Sequence, residues 1–142
     1  MSNLNDDIIK KVLEWVSYAD DDLIMAKHGL TIKVGNPYKL IAFHAQQCVE
    51  KYLKAYLVYR KIDFPYTHDI SRLLELCSSL VDWVAEIADA RKLTIYASTS
   101  RYPGIERIVT ETEAKNAINI ATHVRDIVRK AILKEGIELK DT

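Results

Sequence analysis

The chain has 142 residues, 49% hydrophobic and 28% charged, with 20 Lys and Arg set against 20 Asp and Glu. That suits one globular domain, spanning residues 1–142, with enough chain to bury a core. The charge balance leaves no global basic field of the kind that advertises nucleic-acid binding, so RNA is not indicated by net charge.

Four Gly and three Pro speak against long loops and disorder. No apolar run reaches the length of a membrane span, and none is expected. The start Met1-Ser2-Asn3-Leu4-Asn5-Asp6-Asp7 is polar and acidic, unlike a signal peptide, so the expected compartment is the cytoplasm. Cys48 and Cys77 have no CxxC spacing and no His at metal-ligand spacing; they read as buried thiols. Nothing calls for a metal or another cofactor.

In chain order, Ile8, Val12, Val16, Ala19, Leu23 and Ala26 recur by threes and fours, which predicts an amphipathic helix from about Asn5 to Lys27. Asp20, Asp21 and Asp22 read as a solvated face, because consecutive helical residues point about 100° apart and cannot all hold one ion. Gly29 reads as the stop signal. Asn36 then caps a second helix with Pro37 in its first turn, running to about Lys61. Its apolar residues, from Ile41 through Leu57, cover more than half the circumference, so this is the central helix. The remaining arc carries His44, Gln47 and Lys51 at i, i+3 and i+7, one stripe, with Glu50 and Lys54 further round.

After the loop Ile62-Asp63-Phe64-Pro65-Tyr66, Thr67 or Asp69 caps a short third helix carrying Ile70, Leu73, Leu74, Cys77, Leu80 and Val81. A fourth is predicted from about Asp82 to Ala97, either separate or continuous with the third through a bend at Ser78-Ser79. Ser98 to Gly104 reads as a loop with a Pro-Gly turn. Thr110 and Glu113 form a capping box for the last helix, which runs to about Lys134 and ends at Gly136. The expected fold is all-α: an up-and-down bundle of four to five antiparallel helices.

No phosphate loop, HExxH or nucleophile elbow is present. The candidate ligand-binding residues are His44, Gln47, Lys51, His68, Arg101 and Tyr102. The stripe could hold a phosphate or a base edge, or knit the central helix to a neighbour. His68 lies at a helix start, whose free amides suit an anion, although local capping also accounts for it. Arg101 beside Tyr102 could clamp a phosphate and stack on a base, or bind helix carbonyls in a turn. Lys51, Lys54, Arg60 and Lys61 read as a mild basic strip or a solvated edge. His28 and His123 look incidental. Most of the eight Tyr are expected to pack with a wet hydroxyl.

Taken together, several runs resemble the HEPN family (higher eukaryotes and prokaryotes nucleotide-binding). They are Ala19-Asp20-Asp21-Asp22-Leu23, Phe43-His44-Ala45-Gln46-Gln47-Cys48-Val49-Glu50-Lys51-Tyr52-Leu53-Lys54-Ala55, Pro65-Tyr66-Thr67-His68-Asp69-Ile70, Arg101-Tyr102-Pro103 and Glu113-Ala114. They fall in one order over about Leu13 to Ala131. The resemblance implies a helical bundle that often dimerises, a nucleotide ligand, and, for small members, a minimal nucleotidyltransferase partner in toxin–antitoxin-like pairs. Nuclease members carry an Arg followed by a His after four to six intervening residues in their last helical region. No such pair occurs here: Arg60 and His68 are separated by seven residues, and His123 precedes Arg125. The reading is therefore a non-catalytic nucleotide-binding or partner-binding module. The alternatives are an atypical metal-independent RNase toxin using His68 or His44, and a ligand-free structural homodimer.

Overall fold

A computed structural model describes residues 3–35, 37–99 and 108–140. Among them there is no strand. The elements are α1 (Asn3–Gly29), α2 (Tyr38–Tyr59), α3 (Ile70–Ser78), a 3₁₀ segment (Trp83–Thr94), α4 (Ile95–Thr99) and α5 (Glu111–Lys134). The third and fourth predicted helices are separate. The second of them is wound as 3₁₀ with a break at Ile87 (φ −121°, ψ 22°) and becomes α-helical only at Ile95. α4 continues to Thr99, two residues into the stretch read as loop.

The bundle is built around α2, which packs against every other helical element. Ile41, Ala45, Cys48, Val49, Tyr52, Leu53, Tyr56 and Leu57 are buried, as the wide apolar arc requires. α1 runs antiparallel to it, with Asp22 beside His44 and Trp15 beside Lys54. α5 runs parallel to α2, since Asp20 meets both Tyr52 and Arg129 while Tyr59 reaches Glu135 at 3.1 Å. The segment from α3 to α4 supplies the return between these two long helices. Val12, Val16, Ala19, Leu23 and Ala26 of α1 and Ala114, Ala117, Ala121, Val124, Val128 and Ile132 of α5 complete the core. Each large aliphatic side chain buried this way contributes roughly 1.5–3 kcal/mol.

The helix ends divide between expectation and correction. Thr110 and Glu113 form the capping box, and Asp69 caps α3 by accepting from the Ser71 amide at 3.0 Å. Asn36 lies outside the described residues, while Pro37 takes the N-cap position itself without a side-chain bond. α1 ends at Gly29 as expected, although not through a left-handed cap. Gly29 is buried, and a Cβ there would stand 2.6 Å from Cγ1 of Ile41, so glycine permits the close approach of α1 to α2. α2, in turn, ends without glycine. Lys61 adopts φ +60°, and the amides of Lys61 and Ile62 bond the carbonyls of Val58 and Leu57, a Schellman closure.

These two ends make opposite predictions. Gly29→Ala should destabilise by about 1–3 kcal/mol through overpacking, despite the helix propensity of alanine. Lys61→Gly should stabilise by about 0.5–1 kcal/mol by removing the left-handed penalty. Urea melts of both variants check the signs.

Cys48 and Cys77 are free and buried. Burial pushes both thiols up, Cys77 to about 12, with Asp20 and Asp22 adding to the effect at Cys48. A thiol that ionises near 9.0 when unfolded but later when folded leaves the folded state holding more protons in between. Stability should therefore be intact below pH about 9 and fall above it. Ellman's reagent at pH about 8 should label neither cysteine until denaturant unfolds the chain.

Candidate functional site

The α1–α2 seam carries a connected set of polar side chains. The Asp run of α1 is not a solvated face. Asp20 is 4% exposed and Asp22 8%; only Asp21 faces water. The 100° turn per residue that prevents shared chelation also sends the two flanking carboxylates into different clefts. Asp20 points between α2 and α5, where it accepts from the Tyr52 hydroxyl, from Arg125 Nε at 2.9 Å and from Arg129 Nη1 at 3.4 Å. Burial and the Asp20 bond push the Tyr52 phenol up, so this hydroxyl is dry rather than wet. Burial opposes the charge of Arg125, but Asp20 outweighs it and holds the guanidinium above its ordinary range. Arg129 also donates to the Lys140 carbonyl at 2.8 Å, which ties down the tail.

Asp22 turns to the outer edge of α2. Its Oδ1 lies 2.8 Å from His44 Nδ1 and its Oδ2 2.5 Å from Lys51 Nζ. Two members of the predicted stripe thus meet on one carboxylate of the preceding helix. Gln47, the third, does not reach α1. Its amide donates to Gln46 Oε1 at 2.7 Å and to Glu50 Oε2 at 3.3 Å on its own helix.

Glu50 is the second hub, only 2% exposed. It accepts from Gln46 at 2.7 Å and Lys54 at 2.9 Å, and lies 3.0 Å from His68 Nδ1. His68 therefore folds back onto α2. The helix start on which it stands is not an open anion site, because Asp69 takes the Ser71 amide and Thr94 Oγ1 takes the Ile70 amide at 3.1 Å. Lys54 is buried, with its ammonium 5.6 Å from the ring centres of both Trp15 and Phe64. Arg60 donates to the Tyr56 hydroxyl at 3.0 Å. Lys51 and Lys54 are thus paired with carboxylates and do not form a free basic strip, whereas Arg60 is half-buried and Lys61 is exposed at the solvated end of the run. Arg101 and Tyr102 lie outside the described residues.

The chemistry of the seam follows from its donors. An ionised carboxylate only accepts, so both imidazoles present Nδ1–H to their carboxylates. Each Nε2 is left without a partner among the described residues, on side chains 29% and 31% exposed. Lys51 is 25% exposed and Lys54 10%, each neutralised by one carboxylate. Among the described residues no group of His, Cys, Asp and Glu could hold a metal ion. An apolar groove of about 670 Å³ lies elsewhere, where Ile9, Leu13 and Val16 face Ile137 and Leu139.

Sequence reasoning missed Asp20, Asp22, Gln46, Glu50, Lys54, Arg125 and Arg129 as partners. One signal was available for two of them: Asp20 sits next to the core position Ala19, and Asp22 next to Leu23.

Fold and seam together define a helical bundle with carboxylate-anchored imidazoles along its central helix. The HEPN domain family matches residues 12–131, and the chain belongs to that family. The crystal structure of ST0689, an archaeal HEPN homologue, is similar to it with a TM-score of 0.67 and 31% identity, over 85% of this chain and 97% of that one. No curated protein matches the chain.

The three aspartates should separate cleanly on substitution. Asp20→Asn strands two guanidinium groups and should cost about 3–5 kcal/mol. Asp22→Asn, at a half-open edge, should cost about 1–3 kcal/mol. Asp21→Asn should stay within about 0.5 kcal/mol. Equilibrium unfolding in urea reads all three.

Proposed function

We propose that the chain is a non-catalytic HEPN module that binds a nucleotide on the α1–α2 edge and works beside a minimal nucleotidyltransferase. The observation that carries the ligand half is the shared carboxylate of Asp22. It holds His44 and Lys51 side by side, with an uncommitted imidazole Nε2 and a part-exposed ammonium turned toward one ligand. A phosphate suits the remaining N–H donors of Lys51.

The non-catalytic half is supported by charge. Cleaving a phosphodiester takes a proton acceptor, a proton donor and a cation to stabilise the phosphorane. The imidazoles could move protons, but Lys51 and Lys54 each face a carboxylate, so among the described residues the seam offers N–H donors without net positive charge. The Arg–His spacing of the family's nucleases is also missing from this sequence. The nucleotidyltransferase partner is carried by the resemblance of this small HEPN chain to members that act in such pairs.

Thermal unfolding with a panel of nucleoside mono-, di- and triphosphates tests the proposal. A nucleotide at about 100 times its Kd should stabilise by about 2.7 kcal/mol, a shift of several degrees in Tm. Lys51→Met, which keeps the aliphatic stem, should lose that shift while folding cooperatively. Failure of every nucleotide to raise Tm, or RNA cleavage by pure protein that disappears in His68→Ala, overturns the reading.

A further inference from the structure

Tyr66 is 94% exposed, whereas Tyr52, Tyr56 and Tyr96 are buried. A whole phenol ring in water contributes nothing to the core. The ring is nonetheless held in place. Pro65 fixes the backbone before it, and Phe64 packs edge-on to Trp15 with centroids 6.3 Å apart. After it, Thr67 Oγ1 accepts the Asp69 amide at 3.0 Å, and Asp69 caps α3. Tyr66 thus stands on a short loop pinned at both ends, with its ring 5.8 Å from the His68 imidazole and inclined at 71°.

We propose that Tyr66 is a stacking platform for the nucleobase of the ligand, and that His68 Nε2 accepts a hydrogen bond from an N–H on the edge of the base. This rests on the nucleotide-binding reading and assigns the other end of the same ligand. With Nδ1 committed to Glu50 at 3.0 Å, the His68 imidazole in its neutral form offers Nε2 as an acceptor. Every nucleobase carries a ring-edge N–H that it could meet.

Glu50, which holds His68, and Lys51, which shares Asp22 with His44, are consecutive on α2, so the two imidazoles belong to one edge of that helix. Aromatic stacking tolerates any base, but a purine covers more of the phenol ring than a pyrimidine. The ligand class is therefore a purine nucleoside phosphate.

Calorimetric titration of the full chain with a purine nucleotide, its uridine counterpart and ribose 5-phosphate tests the assignment. Tyr66→Ala should weaken the purine nucleotide about 10-fold or more, and Tyr66→Phe should stay within about two-fold of the parent. Ribose 5-phosphate should bind parent and Tyr66→Ala alike. The side chain is exposed, so Tyr66→Ala should melt as the parent does. Purine nucleotide binding that is unchanged in Tyr66→Ala, or an equal loss for ribose 5-phosphate, overturns the platform and leaves the nucleotide-binding reading standing. No nucleotide binding by the parent overturns both.

Discussion

The packing of the bundle turns on one buried carboxylate. Asp20 sits in the core of α1 with almost no exposure, where a bare charge would be prohibitive. It is tolerable only because Tyr52 of α2 and two guanidinium groups of α5 converge on it. That requirement couples three helices. α1 can rotate neither way by one residue without burying Asp21 unpaired or pulling Asp20 off its donors. Apolar stripes alone would leave such slips cheap, because alanines and valines interchange at small cost. The ion cluster thus ties the rotation of α1 to α2 and α5. Arg129 extends the same constraint to the tail through the Lys140 carbonyl.

Once α1 is fixed in rotation, Asp22 has nowhere to go but the outer edge of α2. It meets His44 and Lys51 because those positions stack two turns apart on one row. Glu50 does the same work one row further round, gathering His68 from the following loop. The consequence for activity is electrostatic. Each ammonium on the seam carries a carboxylate at contact distance, so the surface offers directed hydrogen-bonding atoms rather than a positive field. Orientation, not charge attraction, would then set which ligand binds. Such a surface holds a small molecule with matched polar ends more naturally than a long polyanion.

The fold was legible because its signals are local. A 3.6-residue apolar period marks α1, α2 and α5, and the Thr110–Glu113 capping box is written in two residues. The misreadings share another cause: each depends on a neighbour brought close only by folding. Gly29 does end α1, but the need for glycine there comes from Ile41, packed 2.6 Å from where its Cβ would be. The Asp run looks solvated until α5 supplies Arg125 and Arg129, more than a hundred residues away in sequence. Of the candidate residues, His44, Gln47 and Lys51 were findable by spacing, and His68 by its place before a cap. Their carboxylate partners were not, since no spacing rule links α1 to α2.

The central helix thus carries the core and the proposed site by the same geometry. Its apolar arc is wide enough to be enclosed by α1, α3 and α5, which leaves a single polar margin. Carboxylates of α1 and of α2 itself close most of that margin, and they consume the two lysines as they do so. What survives at the rim is two imidazole edges, a part-exposed ammonium and, on the pinned loop beyond them, one bare phenol ring. A ring left wholly in water beside an oriented imidazole does no packing. A binding role for the margin therefore rests on what the core leaves over, and the outermost ring is the part of it that packing explains least.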